Sequence, residues 1–161
     1  MIKHEMAKKL IKKFENLRLV AYLCLKNVVT IGYGSTRYPD KTRVKIQDTI
    51  TVEQAEDLLD YHLINNTYPF VEMLFKKFTK NANKYFGSED RANKIFAATA
   101  SLVYNVGSTG PVFLNALRSA DTEIISAVFL QYNKIKVKGK LVESTGLTNR
   151  RKAEVNFFRE S

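Results

Sequence analysis

One cysteine, two histidines and no tryptophan occur in the 161 residues of this chain. A single thiol cannot close an intrachain disulfide, so stability has to come from packing, and no zinc site can be built on cysteines. His4 and His62 stand far apart with no companion at metal-ligand spacing, which gives them surface or core roles rather than a metal. Without tryptophan, any aromatic platform for a flat ligand must be made of tyrosine or be absent. A long apolar run is missing too. The N-terminal MIKHEMAKKLIKKF spreads its basic residues through the segment, so it reads as neither a cleavable signal nor a membrane anchor, and stable membrane insertion is not expected. There is no internal repeat and no low-complexity segment.

What is present suits one compact soluble domain: 45% of the residues are hydrophobic and 26% charged. Lys and Arg number 26 against 16 Asp and Glu, a formal charge of +10. A field of that sign attracts polyanions, among which nucleic acid, anionic lipid and the bacterial envelope all qualify. Nucleic acid ranks last, because the lysines are scattered and no nucleic-acid motif is visible.

Along the chain, Ile2, Met6, Leu10, Ile11 and Phe14 recur at helical spacing and predict an amphipathic helix over residues 3 to about 15, with Glu15 at its end. The β-branched and aromatic run from Leu19 to Tyr33, interrupted at Lys26 and Asn27, predicts a hairpin, with Gly32 and Gly34 loosening the backbone beyond it. Residues 36 to 50 are polar, contain Pro39 and read as sheet edge and loop. Thr51 and Gln54 form a capping box before the apolar stripe of Ala55, Leu58, Leu59 and Leu63, so a long helix starts there. After KKFTKNANKYFGSED a further helix runs from about Asp90 to a stop at Gly107, apolar enough from Ile95 to Val106 to be the buried centre of a helical lobe. Pro111 opens a short helix, Asp121 caps another, and Thr148 starts a last one ending near Phe158.

Within FENLRLVAYLCLKNVVTIGYGST, eight residues separate Glu15 from Cys24 and five separate Cys24 from Thr30. That spacing resembles the glutamate, aspartate, threonine triad of the phage-type (T4-like) lysozymes and endolysins. ENLRLVAY and TIGYGST are similar to the family's E-G-x-x-L-x-A-Y and T-I-G-x-G-H-T signatures, and GLTNRRKAE to its G-L-x-x-R-R-x-x-E pattern. LVYNVGSTGPVFLNALRSAD and AVFLQYNKIKVKGK look like further family blocks, so the resemblance covers about residues 10 to 158. Asn16 and Ser35 stand where the family commonly has Gly and His, and Cys24 stands where it usually has the catalytic Asp. The implied fold is α+β, mainly α and lysozyme-like. A small hairpin-bearing lobe (about 12–60) and a larger helical lobe (1–11 and 61–161) form a single domain, joined by a long helix with a cleft between them.

The resemblance implies a peptidoglycan hydrolase that cleaves the β-1,4 bond between N-acetylmuramic acid and N-acetylglucosamine. Such chemistry needs a proton donor at the leaving oxygen and a group on the other face of the sugar. Glu15 suits the donor, at the margin of an apolar stripe and the negative end of a helix. Thr30 would hold the attacking water, so inversion is expected. Cys24 remains open between base, nucleophile, water-positioning group and small buried core thiol; an ordinary thiol, with a pKa near about 8.5, is mostly neutral at pH 7. Arg150 matches a family arginine that supports the catalytic glutamate, while Arg151 and Lys152 read as solvated or substrate-steering. Asn105 and Gly107 match cleft-lining positions, and Tyr33, Tyr104 and Tyr132 are candidates for stacking on sugar. The resemblance implies no metal or organic cofactor, bacterial peptidoglycan as partner and a monomeric enzyme. With no leader sequence, it implies synthesis in the host cytoplasm and release to the wall by a holin or another route. Two rivals stay open: a lytic transglycosylase, in which one glutamate suffices, and an inactive murein-binding protein.

Overall fold

The computed structural model describes residues 2–24, 27–76 and 85–160. The interruption of the hairpin at Lys26 and most of the polar stretch after Lys76 lie outside them. Two compact units are present, one of Ile11–Pro69 and one of Met1–Leu10 with Phe70–Ser161.

Helix α1 (Ile2–Phe14), which belongs to the first unit from Ile11 onward, ends just before Glu15, whose backbone N–H still donates to the Ile11 carbonyl at 2.9 Å. Strands β1 (Arg18–Leu23) and β2 (Val29–Gly32) form the expected antiparallel hairpin, in which Tyr22 faces Thr30 and Leu23 faces Val29. The register shifts between Arg18 and Tyr22, and there β1 turns its free edge to the chain at Asp48–Ile50: Ala21 N–H donates to Asp48 O and Ile50 N–H to Leu19 O. Residues 36–50 are loop and sheet edge, as their polarity requires, with an isolated bridge between Arg37 and Arg43. Ala21, Ile31, Val44 and Leu58 close a small core with Val29, Tyr38 and Ile50 against it. Val29 and Ile31 belong to that core, so by the two-residue period of a strand Thr30 lies on the opposite face.

The capping box forms as read. Thr51 Oγ1 accepts from Gln54 N–H at 3.1 Å and the Gln54 side chain accepts from Thr51 N–H at 2.8 Å, opening α2 (Val52–His62). A π-helical turn (Leu63–Thr67) carries it directly into α3 (Tyr68–Phe75). Pro69 explains the widened turn, since its ring removes one donor and crowds the carbonyl four residues back.

In the second unit, α4 (Glu89–Val106) is capped by Ser88 and ends at Gly107, whose φ of 87° suits only glycine without strain. Ile95–Val103 is buried throughout, which makes α4 the centre of its unit. Helices α5 (Pro111–Ser119) and α6 (Thr122–Leu130) follow, the latter capped by Asp121, whose Oδ1 accepts from Glu123 and Ile124 N–H at 2.8 and 3.1 Å. Phe113, Phe129 and Phe158 pack in sequence with tilted rings, centroids 5.2 and 5.3 Å apart, and tie α5 and α6 to the final helix α7 (Thr145–Arg159).

Two features differ from the sequence reading. Helix α7 begins at Thr145 under the Ser144 cap, not at Thr148, because Ser144 Oγ reaches Leu147 N–H at 3.4 Å and the chain tolerates Gly146 in the first turn. A second hairpin, β3 (Lys134–Val137) with β4 (Lys140–Glu143), was not anticipated. Its turn places Lys138 and Gly139 at φ 47° and 83°, the pattern of a type I′ reversal, and lysine is an unusual first residue there. Every residue of both strands is exposed, so no buried face writes an apolar alternation into the sequence.

Replacing Thr51 by Ala should cost about 1 kcal/mol, the usual worth of such a cap, and lower Tm by about 2–4 °C. A melt unchanged within error would mean that the Gln54 half of the box suffices alone.

Candidate functional site

Glu15, Cys24, Thr30 and Tyr33 all fall in the Ile11–Pro69 unit. The end of α1 is fastened there by Glu56 on α2. Lys12 Nζ, one turn before Glu15, pairs with Glu56 Oε1, and the Tyr33 hydroxyl donates to the same oxygen at 3.0 Å. One carboxylate thus ties together the helix end carrying Glu15, the start of α2 and the turn that follows Thr30. Its hydrogen bond to Lys12 raises the lysine pKa; burial, and then Glu56, raise that of Tyr33. Tyr33 is buried, 6% exposed, with its ring in the fold and its hydroxyl on Glu56.

Cys24 directly follows β1 and is partly buried. Its N–H donates to Val28 O at 3.0 Å and its carbonyl accepts from Asn27 N–H at 2.9 Å, with Asn27 at a left-handed φ of 56°. Extending the register by one step sets Cys24 opposite Val28, on the face shared by Tyr22 and Thr30. Cys24 and Thr30 are therefore diagonal neighbours on one side of the hairpin. Thr30, 5% exposed, donates its hydroxyl to Val28 O at 3.0 Å. That bond uses the only hydroxyl hydrogen and leaves the oxygen as an acceptor. Immediately after Thr30 the chain reverses, with Ile31 and Ser35 exchanging backbone bonds at 2.9 Å each way. The reversal needs φ values of 64° at Gly32 and 105° at Gly34, which is why these two positions are glycine.

The remaining candidates belong to the other unit. Gly107 caps α4, and Asn105, in the helix's last turn, has a buried Oδ1 with no hydrogen-bond partner. Tyr132 accepts from Gly110 N–H at 3.3 Å and packs edge-on against Phe113. Arg150 is 4% exposed and donates from Nη2 to Ser101 O at 3.2 Å and from Nε to Glu154 Oε1 at 3.3 Å. Arg151, expected to be solvated or substrate-steering, is instead fully buried, with Nε 2.8 Å from Glu154 Oε2 and Nη2 donating to Oε1 at 3.0 Å. The cause is helical geometry: positions i+3 and i+4 from the two arginines coincide at Glu154, so one carboxylate draws both guanidiniums inward. Ser101 Oγ completes the cluster at 2.6 Å. Burial pushes the Glu154 carboxyl above its ordinary range, while Arg151, Ser101 and Arg150 pull it back. Sequence reasoning missed Glu154, although the R-R-x-x-E spacing on a helix was a visible signal.

The sequence profile of the phage lysozyme family matches residues 12–154. The chain belongs to the phage lysozyme family. An endolysin of Acyrthosiphon pisum secondary endosymbiont phage 1 is 34% identical over 152 residues, 92% of each chain. The solved endolysin from Escherichia coli O157:H7 phage FAHEc1 is 31% identical with a TM-score of 0.76, covering 96% of this chain and 91% of that one. The muramidase domain of SpmX from Asticaccaulis excentricus shares the fold at 22% identity and a TM-score of 0.70, over 96% and 95% of the two chains. As a phage lysozyme family member, this protein is a glycosidase-type enzyme of peptidoglycan lysis. No helix among its described residues is long and apolar enough to cross a membrane.

Two outcomes follow from the ionisable groups. Glu154→Gln leaves two buried guanidiniums without their carboxylate and should cost roughly 3–5 kcal/mol in denaturant unfolding, as loss of one partner of a buried pair does; a cost under about 1 kcal/mol would show the cluster to be well hydrated. Burial holds the His62 pKa below 6.5, so the folded state prefers the neutral ring. The stability this gives is complete above the unfolded value and is lost as pH falls through the lower folded one. Tm should therefore drop more steeply between about pH 7 and 5 in the parent than in His62→Gln, whose profile would match the parent's if His62 were freely solvated.

Proposed function

We propose that this chain is a muramidase that hydrolyses the β-1,4 bond between N-acetylmuramic acid and N-acetylglucosamine. The observation that carries the reading is the shared face of Thr30 and Cys24 in the same unit as Glu15, at the spacing of the family triad. Glu15 protonates the leaving oxygen as general acid. Thr30, whose hydroxyl hydrogen is committed to Val28 O, accepts a hydrogen from water and so turns the water's lone pair toward the anomeric carbon. Cys24, its diagonal neighbour, stands where a base or charge-stabilising group is needed and supports the same water, whose proton passes on attack to the thiolate or on to solvent. Attack from the face opposite the acid inverts the anomeric centre. Asn105 and Arg150 serve as supporting or substrate-binding groups, with Gly107 ending the helix that carries Asn105 and Tyr33 holding the turn after Thr30. The reaction calls on no metal or organic cofactor. The protein acts as a monomer on periplasmic peptidoglycan after release from the cytoplasm, and its +10 charge favours residence on an anionic wall.

Products from purified sacculi test the chemistry. Hydrolysis leaves reducing muramic ends, first formed as the α-anomer in proton NMR. Anhydro ends would assign a transglycosylase instead, and the absence of products a binding protein. Glu15→Gln should lower turnover by about 100-fold or more with an unchanged melt, because the amide is nearly isosteric and cannot donate the proton. Turnover within about tenfold of the parent would remove Glu15 from the acid role.

Cys24 permits a sharper test. Cys24→Asp should preserve or raise activity and Cys24→Ala should lower it severely, with both melts close to the parent's. A structural thiol predicts the reverse, since burying a carboxylate costs several kcal/mol and truncation to alanine is mild. A destabilised, inactive Cys24→Asp beside a fully active Cys24→Ala would refute the assignment.

A further inference from the structure

Beside the hairpin lies a cavity of about 370 Å³ lined by Arg37, Arg43, Thr36, Asn27, Val29 and Val44, with Val28 between Asn27 and Val29. No acidic residue lines it among the described residues. Its arginines are directly opposed: Arg37 and Arg43 form an antiparallel bridge flanked by Tyr38 N–H to Thr42 O at 3.0 Å and Val44 N–H to Thr36 O at 3.1 Å. Bonds from the flanking residues make this a non-hydrogen-bonded pair, the arrangement in which opposed side chains come closest. Like charges so placed are unfavourable. The carboxylates of this loop accept other donors: Asp40 accepts from Thr42 N–H and Oγ1 at 2.9 and 2.6 Å, and Asp48 from the Tyr38 hydroxyl at 2.9 Å and Lys45 N–H at 2.8 Å. Arg37 donates one bond to Lys41 O at 3.0 Å, which fixes its side chain and leaves further N–H groups on the guanidinium. The cavity also touches Val28, whose carbonyl anchors both Thr30 and Cys24.

We propose that this cavity is an anion subsite that takes a carboxylate of the peptide stem carried by the glycan strand. The inference rests on the muramidase reading. Two guanidiniums opposed across one isolated bridge can grip one carboxylate with charge-assisted bonds, and the apolar valines beside them suit the aliphatic part of a peptide. The subsite adds binding on the hairpin unit without touching the reacting bond, so its loss appears in KM and not in kcat.

The test compares native sacculi with sacculi whose carboxyl groups have been amidated by carbodiimide and ammonia. The parent should show a KM about tenfold higher on amidated wall, a modest return for bonds to a charged group. Arg37→Gln/Arg43→Gln should already have that raised KM on native wall, be indifferent to amidation and keep the parent's kcat. Lys134→Gln/Lys136→Gln removes the same charge from the exposed β3 hairpin and should keep the parent's ratio. Stripping phosphodiester polymers from the wall by hydrofluoric acid should change the binding of the parent and of the arginine variant by the same factor, since only the overall charge responds; a loss confined to the parent would assign the site to phosphate and overturn the carboxylate. An arginine variant that retains the parent's tenfold ratio, or a lysine control that loses it equally, also overturns the proposal. Sedimentation of the Glu15→Gln form, with and without the arginine changes, on both walls reads the subsite independently of turnover. If the parent solubilised neither wall, the muramidase reading would fail while that binding comparison still decided the subsite.

Discussion

Glu56 accepts from an ammonium on α1 and a phenol beyond β2, and the join of the end of α1 to α2 and to the turn after β2 depends on that shared carboxylate. A helix end frays unless something holds it, and Glu15 lies one residue past the end of α1. Lys12 is exposed enough that its ion pair alone adds little. The same oxygen, however, also receives the hydroxyl of Tyr33, a buried residue inside the tight reversal after Thr30. The tyrosine ring is buried, so its hydroxyl is held in place by the fold and gives the partly exposed Glu56 a fixed donor. The interaction therefore orients three elements of the site through one side chain outside it.

A different economy governs the helical unit. There a carboxylate, two guanidiniums and a hydroxyl are buried together at Glu154, Arg150, Arg151 and Ser101. Desolvation makes such a cluster a poor source of net stability, but it makes the loss of any one member expensive. That asymmetry favours a single packing of α7 on α4, since any slip along the helix leaves a charge without its partner.

Much of the architecture was legible because the signals are local. Thr51 with Gln54, Asp121 and Gly107 each act through backbone groups within a few residues, so their effect survives in the bare sequence. The Glu15, Cys24 and Thr30 spacing was equally readable, since a helix end and two hairpin arms need only a short count of residues between them. The β3 hairpin escaped notice for the opposite reason. Both its faces are wet, and an exposed strand carries no apolar alternation. Arg151 misled through its chemistry: a charged residue in a basic stretch is ordinarily solvated, and only the convergence on Glu154 draws it in.

The sequence alone determined the family, the mainly helical class, the element order through its caps and periodicities, and the candidate catalytic groups. Each rests on interactions between near neighbours or on a linear pattern of residue types. The tertiary structure decided that Cys24 and Thr30 share a face, that Glu56 fastens the helix end below Glu15, and that Arg37 stands opposite Arg43. Those facts depend on strand register and on contacts between residues as far apart as Lys12 and Glu56. Register follows from which side chains the core accepts, and that selection is made by packing in three dimensions rather than by any local preference of the chain.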